Sequence, residues 1–218
     1  MDAIVSFPKS GRTWLRVMLD ELGVEVEYSH ARSGHRGANH MSELNTNEEK
    51  NFSRVLFLHR DPRDTVVSGY YQKEKRLSGY EGTISEFIRS PNHGVEKIIH
   101  FNNLWIDLAK TRKDMMVVSY EQLHENTHGK LKQIANFFGH NLSDAEIDKA
   151  VGAGQFDTMK DREKSGFYEK QYGKALAVHD LQDENSFKVR KGQVGGYREE
   201  LSAEDIEYCD QIVARAGL

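Results

Sequence analysis

An α/β fold built on a central, mostly parallel sheet is what this sequence predicts, on three observations. Three short apolar runs, Ala3–Phe7, Arg54–Leu58 and Met115–Ser119, read as buried strands. Each is followed by a turn and then by apolar residues at helical spacing. Strands that alternate with helices favour parallel pairing, and such sheets bind ligands beyond the carboxyl ends of their strands. A length of 218 residues suits one domain, here residues 1–218.

The elements follow in order. Gly11–Leu22 is predicted as a helix, because Trp14, Leu15, Met18, Leu19 and Leu22 recur on one face. Val24–Ser29 alternates apolar and acidic residues, which suits a half-exposed strand. Ala31–Lys50 turns polar, with Gly34, Gly37 and three asparagines, and reads as a long mobile loop. Pro62 stands where a helix begins, so one helix is expected from Arg63 to about Arg76. Further helices are predicted over Thr83–Arg89, Val95–Lys110 and most of Glu121–Phe138. Ser143, opening Ser-Asp-Ala-Glu, and Ser202, opening Ser-Ala-Glu-Asp, mark two more helix starts. Gly152–Gly196 reads as loops and short helices covering one face.

Composition excludes several classes. A net charge of −4 provides no global basic field for nucleic acid, so any anion site must be local. Cys209 is the single cysteine, which rules out an internal disulfide framework, and no Cys/His pattern has metal-ligand spacing. With no apolar run of membrane-spanning length and no signal-peptide core at the N-terminus, the expectation is a cytoplasmic protein without a membrane span or a metal.

The chemistry concentrates in three segments. FPKSGRTW, Phe7–Trp14, joins a strand to a helix N-terminus, where unpaired N–H groups and the helix dipole favour an anion. Lys9 adds a full charge, Ser10 and Thr13 add hydroxyl donors, and Gly11 permits close backbone approach. The loop does not fit the triphosphate pattern GxxxxGK[ST], since its lysine precedes the glycine. A tight turn with Trp14 in the core is the alternative for this loop alone. In HRDPRDTVVSGYY, Arg60 ends a strand and Ser68 follows eight residues later, a fork and a hydroxyl suited to a phosphate. Arg60 pairing with Asp61 or Asp64 is the structural alternative. KVRKGQVGGY, Lys188–Tyr197, sets Lys188, Arg190 and Lys191 among three glycines and can wrap an anion or form a solvated basic turn.

In content and order these three segments resemble the cofactor-binding elements of the sulfotransferases that use 3′-phosphoadenosine 5′-phosphosulfate, and the resemblance runs along nearly the whole chain. It implies a P-loop-like, three-layer α/β/α fold and an enzyme that leaves 3′-phosphoadenosine 5′-phosphate (PAP) as product. By resemblance, Lys9, Ser10, Gly11, Arg12 and Thr13 would grip the 5′ side of the cofactor, with Lys9 at the sulfuryl group. Trp14, Tyr120 and Phe156 would contact the adenine. Arg60, Ser68, Arg190, Lys191 and Gly192 would hold the 3′-phosphate. His30, at the end of VEVEYSH, stands where the family places its catalytic base, with His35 and His40 further along the loop. Arg12 departs from the small or hydroxyl residue of many relatives, adding a cation toward the cofactor or the acceptor.

The implied acceptor is a hydroxyl or amine of a small molecule or carbohydrate, its entry framed by Ala31–Lys50 and Lys73–Gly82. A kinase-like nucleotide-binding protein and an inactive nucleotide-binding module are the alternatives.

Overall fold

Four runs of chain pair into a single all-parallel sheet. In chain order they are β1, Ala3–Val5, β2, Glu27–Ser29, β3, Val55–His59, and β4, Met115–Ser119; across the sheet the order is β2-β1-β3-β4. The computed structural model describes residues 1–34, 39–76, 80–173 and 180–217. The central strands β1 and β3 are apolar at nearly every position because both faces of the sheet are covered.

Side chains that alternate along these strands divide the core into two layers. Ala3, Val5, Val55 and Phe57 point to one cluster, completed by Trp105, Phe101, Ile98, Val66, Phe87 and Val213. The helices of that layer are α2, Pro62–Tyr71, α3, Ile84–Arg89, α4, Val95–Thr111, and, at the end of the chain, Ala203–Arg215. Ile4, Leu56 and Leu58 point to the other cluster, closed by Leu15, Met18, Leu123, Leu131, Ile134 and Ile147. Its helices are α1, Arg12–Glu21, α5, Tyr120–Glu125, α6, Thr127–Phe137, and α7, Asp144–Ala153. The result is the three-layer α/β/α arrangement expected. Next come α8, Phe156–Lys164, and α9, Phe167–Tyr172, which pack on α1 through Val17, Met159 and Tyr168. The helical turn α10, Tyr197–Glu200, leads to α11, the Ala203–Arg215 helix.

Local chemistry accounts for the differences from expectation. Only Glu27–Ser29 of the predicted Val24–Ser29 strand joins the ladder, although Val24 is buried. The helix from Pro62 changes to a wider π-type turn over Gln72–Arg76. The predicted Glu121–Phe138 helix divides at Asn126, whose side chain accepts from the Gly129 amide and starts α6 anew. Ser143 forms a full capping box with Glu146, whereas Ser202 accepts from the Asp205 amide. The Ala31–Lys50 loop carries two 3₁₀ turns, Met41–Glu43 and Asn47–Asn51, the first capped by His40. His35 and residues 77–79 of the Lys73–Gly82 segment lie outside the described residues.

The register positions the site. Val5 pairs with Ser29 and Phe57, and His59 pairs with Ser119, so the chain leaves all four strands at one edge. Strand order turns in opposite directions from β1 and β3, and the crevice between them is a topological switch point. The Lys9 loop and Arg60 leave the sheet at that crevice.

Candidate functional site

A cavity of about 440 Å³ opens at this edge, and every expected site residue except Ser10 lines it. Ser10 is buried to 1% exposure with a hydroxyl that has no hydrogen-bond partner. His40 caps its own turn instead of lining the cavity.

The opening loop is a strained turn. Lys9 has φ 74°, the left-handed region that side chains with a Cβ seldom occupy, and Gly11 follows at φ 89° as the cap residue of α1. Neither a capping side chain nor an acidic residue occupies the first turn of α1, so its leading N–H groups remain available to a ligand. A Cβ on Gly11 would lie 2.4 Å from the Tyr120 ring. Gly11→Ala is therefore expected to lower stability by about 1–2 kcal/mol from backbone strain alone, with the clash added, and to weaken PAP binding; thermal melts with and without PAP measure both. Burial drives the Lys9 amine well below the usual lysine range, and Lys188, Arg76 and Arg60 push it further, against the single opposing charge of Glu163.

Trp14 turns its edge toward Tyr120, ring centroids 5.4 Å apart, and its Nε1 donates to the Gly154 carbonyl at 2.8 Å. Tyr120 in turn donates to the Gly192 carbonyl and carries the Arg60 guanidinium 4.4 Å above its ring. These contacts join the ends of the chain. Arg60 also donates to the Gln193 carbonyl at 2.7 Å and pairs with Asp64 at 3.4 Å, while Asp61 is engaged by Arg63. Arg60 thus meets the structural alternative and lines the cavity as well.

In the C-terminal loop, Arg190 pairs with Glu200 at 2.6 Å over the Tyr71 ring. Lys191 reaches Glu200 at 2.7 Å and Glu199 at 3.0 Å. Burial pushes the Glu200 carboxyl up, but hydrogen bonds from Lys191, Tyr71 and Arg190 outweigh it and hold the pKa at about 2. Gly192 sits at φ 63° with the Phe156 ring 2.8 Å from where a Cβ would be, so ring and backbone meet closely.

Two buried carboxylates hold this loop, and the sequence pattern pointed to neither. Asp64 of α2 accepts from the Gly195 and Tyr197 amides at 2.8 and 3.0 Å. Glu163 of α8, 1% exposed, accepts from Lys188 and Val189 at 2.6 and 2.9 Å. Together they bracket Arg190, Lys191 and Gly192 from both sides. The one signal for Asp64 was its place four residues after Arg60; Glu163 had none, because its partners are amides 25 and 26 residues away. Gln72, His124 and Lys188 also line the cavity.

His30 follows β2. A carbonyl only accepts and a guanidinium only donates, so His30 Nδ1–H donates to Ser6 O at 3.0 Å and Nε2 accepts from Arg12 Nη2 at 2.7 Å. The ring is thereby a neutral Nδ1–H tautomer. Arg12 Nη1 and Arg60 Nε are buried donors without a protein partner. No group of three or more His, Cys, Asp or Glu suited to a metal occurs among the described residues, nor is any helix there long and apolar enough to cross a membrane.

A parallel sheet with a cationic, aromatic-lined cavity at its switch point defines an α/β protein with a cavity suited to an anionic ligand. Residues 28–216 match the sulfotransferase domain family, and the chain belongs to that family. The matched stretch begins after the Lys9 loop. The 3-beta-hydroxysteroid sulfotransferase of Cavia porcellus is 28% identical over 166 residues, covering 73% of this chain and 54% of that protein. Sulfotransferase 2A6 of Mus musculus is 26% identical over 166 residues, with 73% and 55% covered. The chain thus spans about half the length of these relatives. Mouse sulfotransferase SULT7A1, solved with PAP, superposes with a TM-score of 0.73 at 19% identity, over 99% of this chain and 82% of its own. Retinol dehydratase, solved with androsterone and PAP, gives 0.73 at 14% identity over 99% and 80%. At these identities the superpositions show the fold.

Proposed function

We propose that this chain is a sulfotransferase that moves a sulfuryl group from 3′-phosphoadenosine 5′-phosphosulfate to a hydroxyl or amine of a small-molecule or carbohydrate acceptor. The observation that carries it is the convergence on one cavity of Lys9, Arg60 and Arg190, which arrive from three separate segments of the chain. Family membership and the PAP in the solved relatives support the same reading.

The residues fit such a ligand: a buried donor on Arg60 lacks a protein partner, and the close ring contacts at Gly11 and Gly192 leave backbone exposed where a Cβ would collide. When bound, the cofactor supplies the sulfuryl group and the 5′-phosphate oxygen that departs with the bonding electrons. Arg60, Ser68, Arg190, Lys191 and Gly192 would hold the 3′-phosphate, and Trp14, Tyr120 and Phe156 the adenine. The Lys9 loop would receive the 5′ end, with the Lys9 charge stabilising the negative charge that builds on the departing oxygen.

His30 prepares the nucleophile. With Nδ1–H committed to Ser6 O, its Nε2 lone pair faces the cavity, where an acceptor O–H or N–H that takes the place of the Arg12 donor passes its proton to it. His30→Ala is expected to lower kcat by about 10²–10⁴-fold while PAP still raises Tm. Full turnover in that variant would remove the base role.

Thermal melts with PAP, and separately with ATP and magnesium, test the cofactor, followed by a labelled-sulfate transfer screen for the acceptor. Stabilisation by PAP is the expected result; stabilisation by ATP with magnesium alone overturns the reading.

A further inference from the structure

Among the described residues, neither Arg12 nor Lys188, which line the cavity, forms a direct ion pair with a carboxylate. The Arg12 guanidinium spends one amino group on His30 Nε2, at 2.7 Å, and leaves Nη1 buried with no hydrogen-bond partner. Lys188 Nζ reaches only the neutral amide oxygen of Gln72, at 3.2 Å. The one nearby carboxylate, Glu163, is occupied by the backbone amides of Lys188 and Val189 and by Arg76, 3.7 Å away. Burial, then the charges of Arg76 and Arg12, lower the pKa of the Lys188 amine to about 8, against the opposing charge of Glu163. Two cations on one cavity, neither in a direct ion pair, disfavour the fold unless a ligand supplies negative charge.

The position of Arg12 decides which ligand. Its amino group rests on the nitrogen assigned to the acceptor's proton, so an anion bound by Arg12 stands beside the reacting hydroxyl or amine. The donor nucleotide has its own cations in Lys9, Arg60, Arg190 and Lys191. On the sulfuryl-transfer reading above, we infer that Arg12 and Lys188 bind an anionic oxygen group of the acceptor, a carboxylate, sulfate or phosphate next to the group that is sulfonated. Arg12 offers the planar fork that such a group fits, and Lys188 a second point charge. The acceptor class is then anionic, rather than the hydroxysteroid named for two relatives.

The test uses the full chain and a matched pair of probes, benzoate and its neutral counterpart benzamide. Calorimetric titration of the PAP-saturated protein is expected to show benzoate binding at least about 10-fold tighter than benzamide. In the variant Lys188→Gln, that advantage is expected to fall to about 3-fold or less while the Kd for PAP changes less than about 3-fold. Lys188→Gln removes a buried cation that has no direct ion pair, so it is expected to melt no lower than the parent. If benzoate does not outcompete benzamide on the parent, or if Lys188→Gln loses PAP as strongly as benzoate, the inference is overturned. Failure of the parent chain to bind PAP overturns instead the sulfuryl-transfer reading on which it rests.

Discussion

Lys9→Met is expected to lower kcat for sulfuryl transfer by at least about 10²–10³-fold, the usual loss when one charge-stabilising donor is removed from a reacting centre. The methionine keeps the length and apolar stem of the side chain, and its Cβ is no larger than lysine's in the left-handed turn at φ 74°. The change therefore isolates the charge. Stability is expected to move the other way. Burial and the neighbouring cations Lys188, Arg76 and Arg60 lower the Lys9 pKa in the folded chain, so the unfolded chain binds that proton more tightly. The shift consequently disfavours folding below the unfolded value, and this penalty fades as pH rises from the folded value toward the unfolded one. Lys9→Met should thus melt higher than the parent at pH 7 while being nearly inactive, a combination that a purely structural lysine would not give. The same depressed pKa makes parental turnover decline with rising pH from below the ordinary lysine value of about 10.4. Melting curves and a kcat profile against pH check both signs, and a fully active Lys9→Met would sink the assignment.

Asp64→Ala is expected to destabilise the protein by about 3–5 kcal/mol, because it removes one partner of a buried ion pair. Asp64, its side chain 2% exposed, is paired with Arg60 and also accepts from the Gly195 and Tyr197 amides. Its loss leaves two N–H groups unsatisfied and frees Arg60 from the position over Tyr120. Since this carboxylate joins α2 to the Arg190–Gly192 loop, PAP affinity is expected to fall along with Tm. Asp64→Asn keeps the shape and one acceptor oxygen but not the charge, and should fall between parent and alanine variant on both measures. An alanine variant that melts within a degree or two of the parent and binds PAP normally would show that the loop is held by other contacts.

Much of the architecture was readable because it follows from local periodicity. Ala3–Val5, Val55–His59 and Met115–Ser119 are apolar runs with turn residues behind them, and a run of that kind between helices has few ways to bury both faces except in a parallel sheet. The break at Asn126 and the widened turn at Gln72 escaped notice because each depends on one side chain or one extra residue within a helical pattern that continues on either side. The site was readable to the extent that its residues are chemically distinctive in short segments. Lys9, Arg60, Arg190 and the aromatic partners Trp14, Tyr120 and Phe156 all reach one cavity. Ser10 was the exception: a hydroxyl beside a glycine signals a phosphate loop, but the turn at Lys9 directs this one into the interior.

Sequence alone therefore determined the order of strands and helices, the family resemblance and the cations available for a phosphate, because periodicity and charge are carried by residues close together in the chain. Only the tertiary structure decided how those cations are neutralised. Asp64 meets amides more than 130 residues away, Glu163 holds the backbone ahead of Arg190, and Arg12 meets His30 without an ion pair to a carboxylate among the described residues. Whether a charge is balanced depends on the distance to every other charge in the fold, and that distance exists only once the register of the sheet brings the ends of its four strands together.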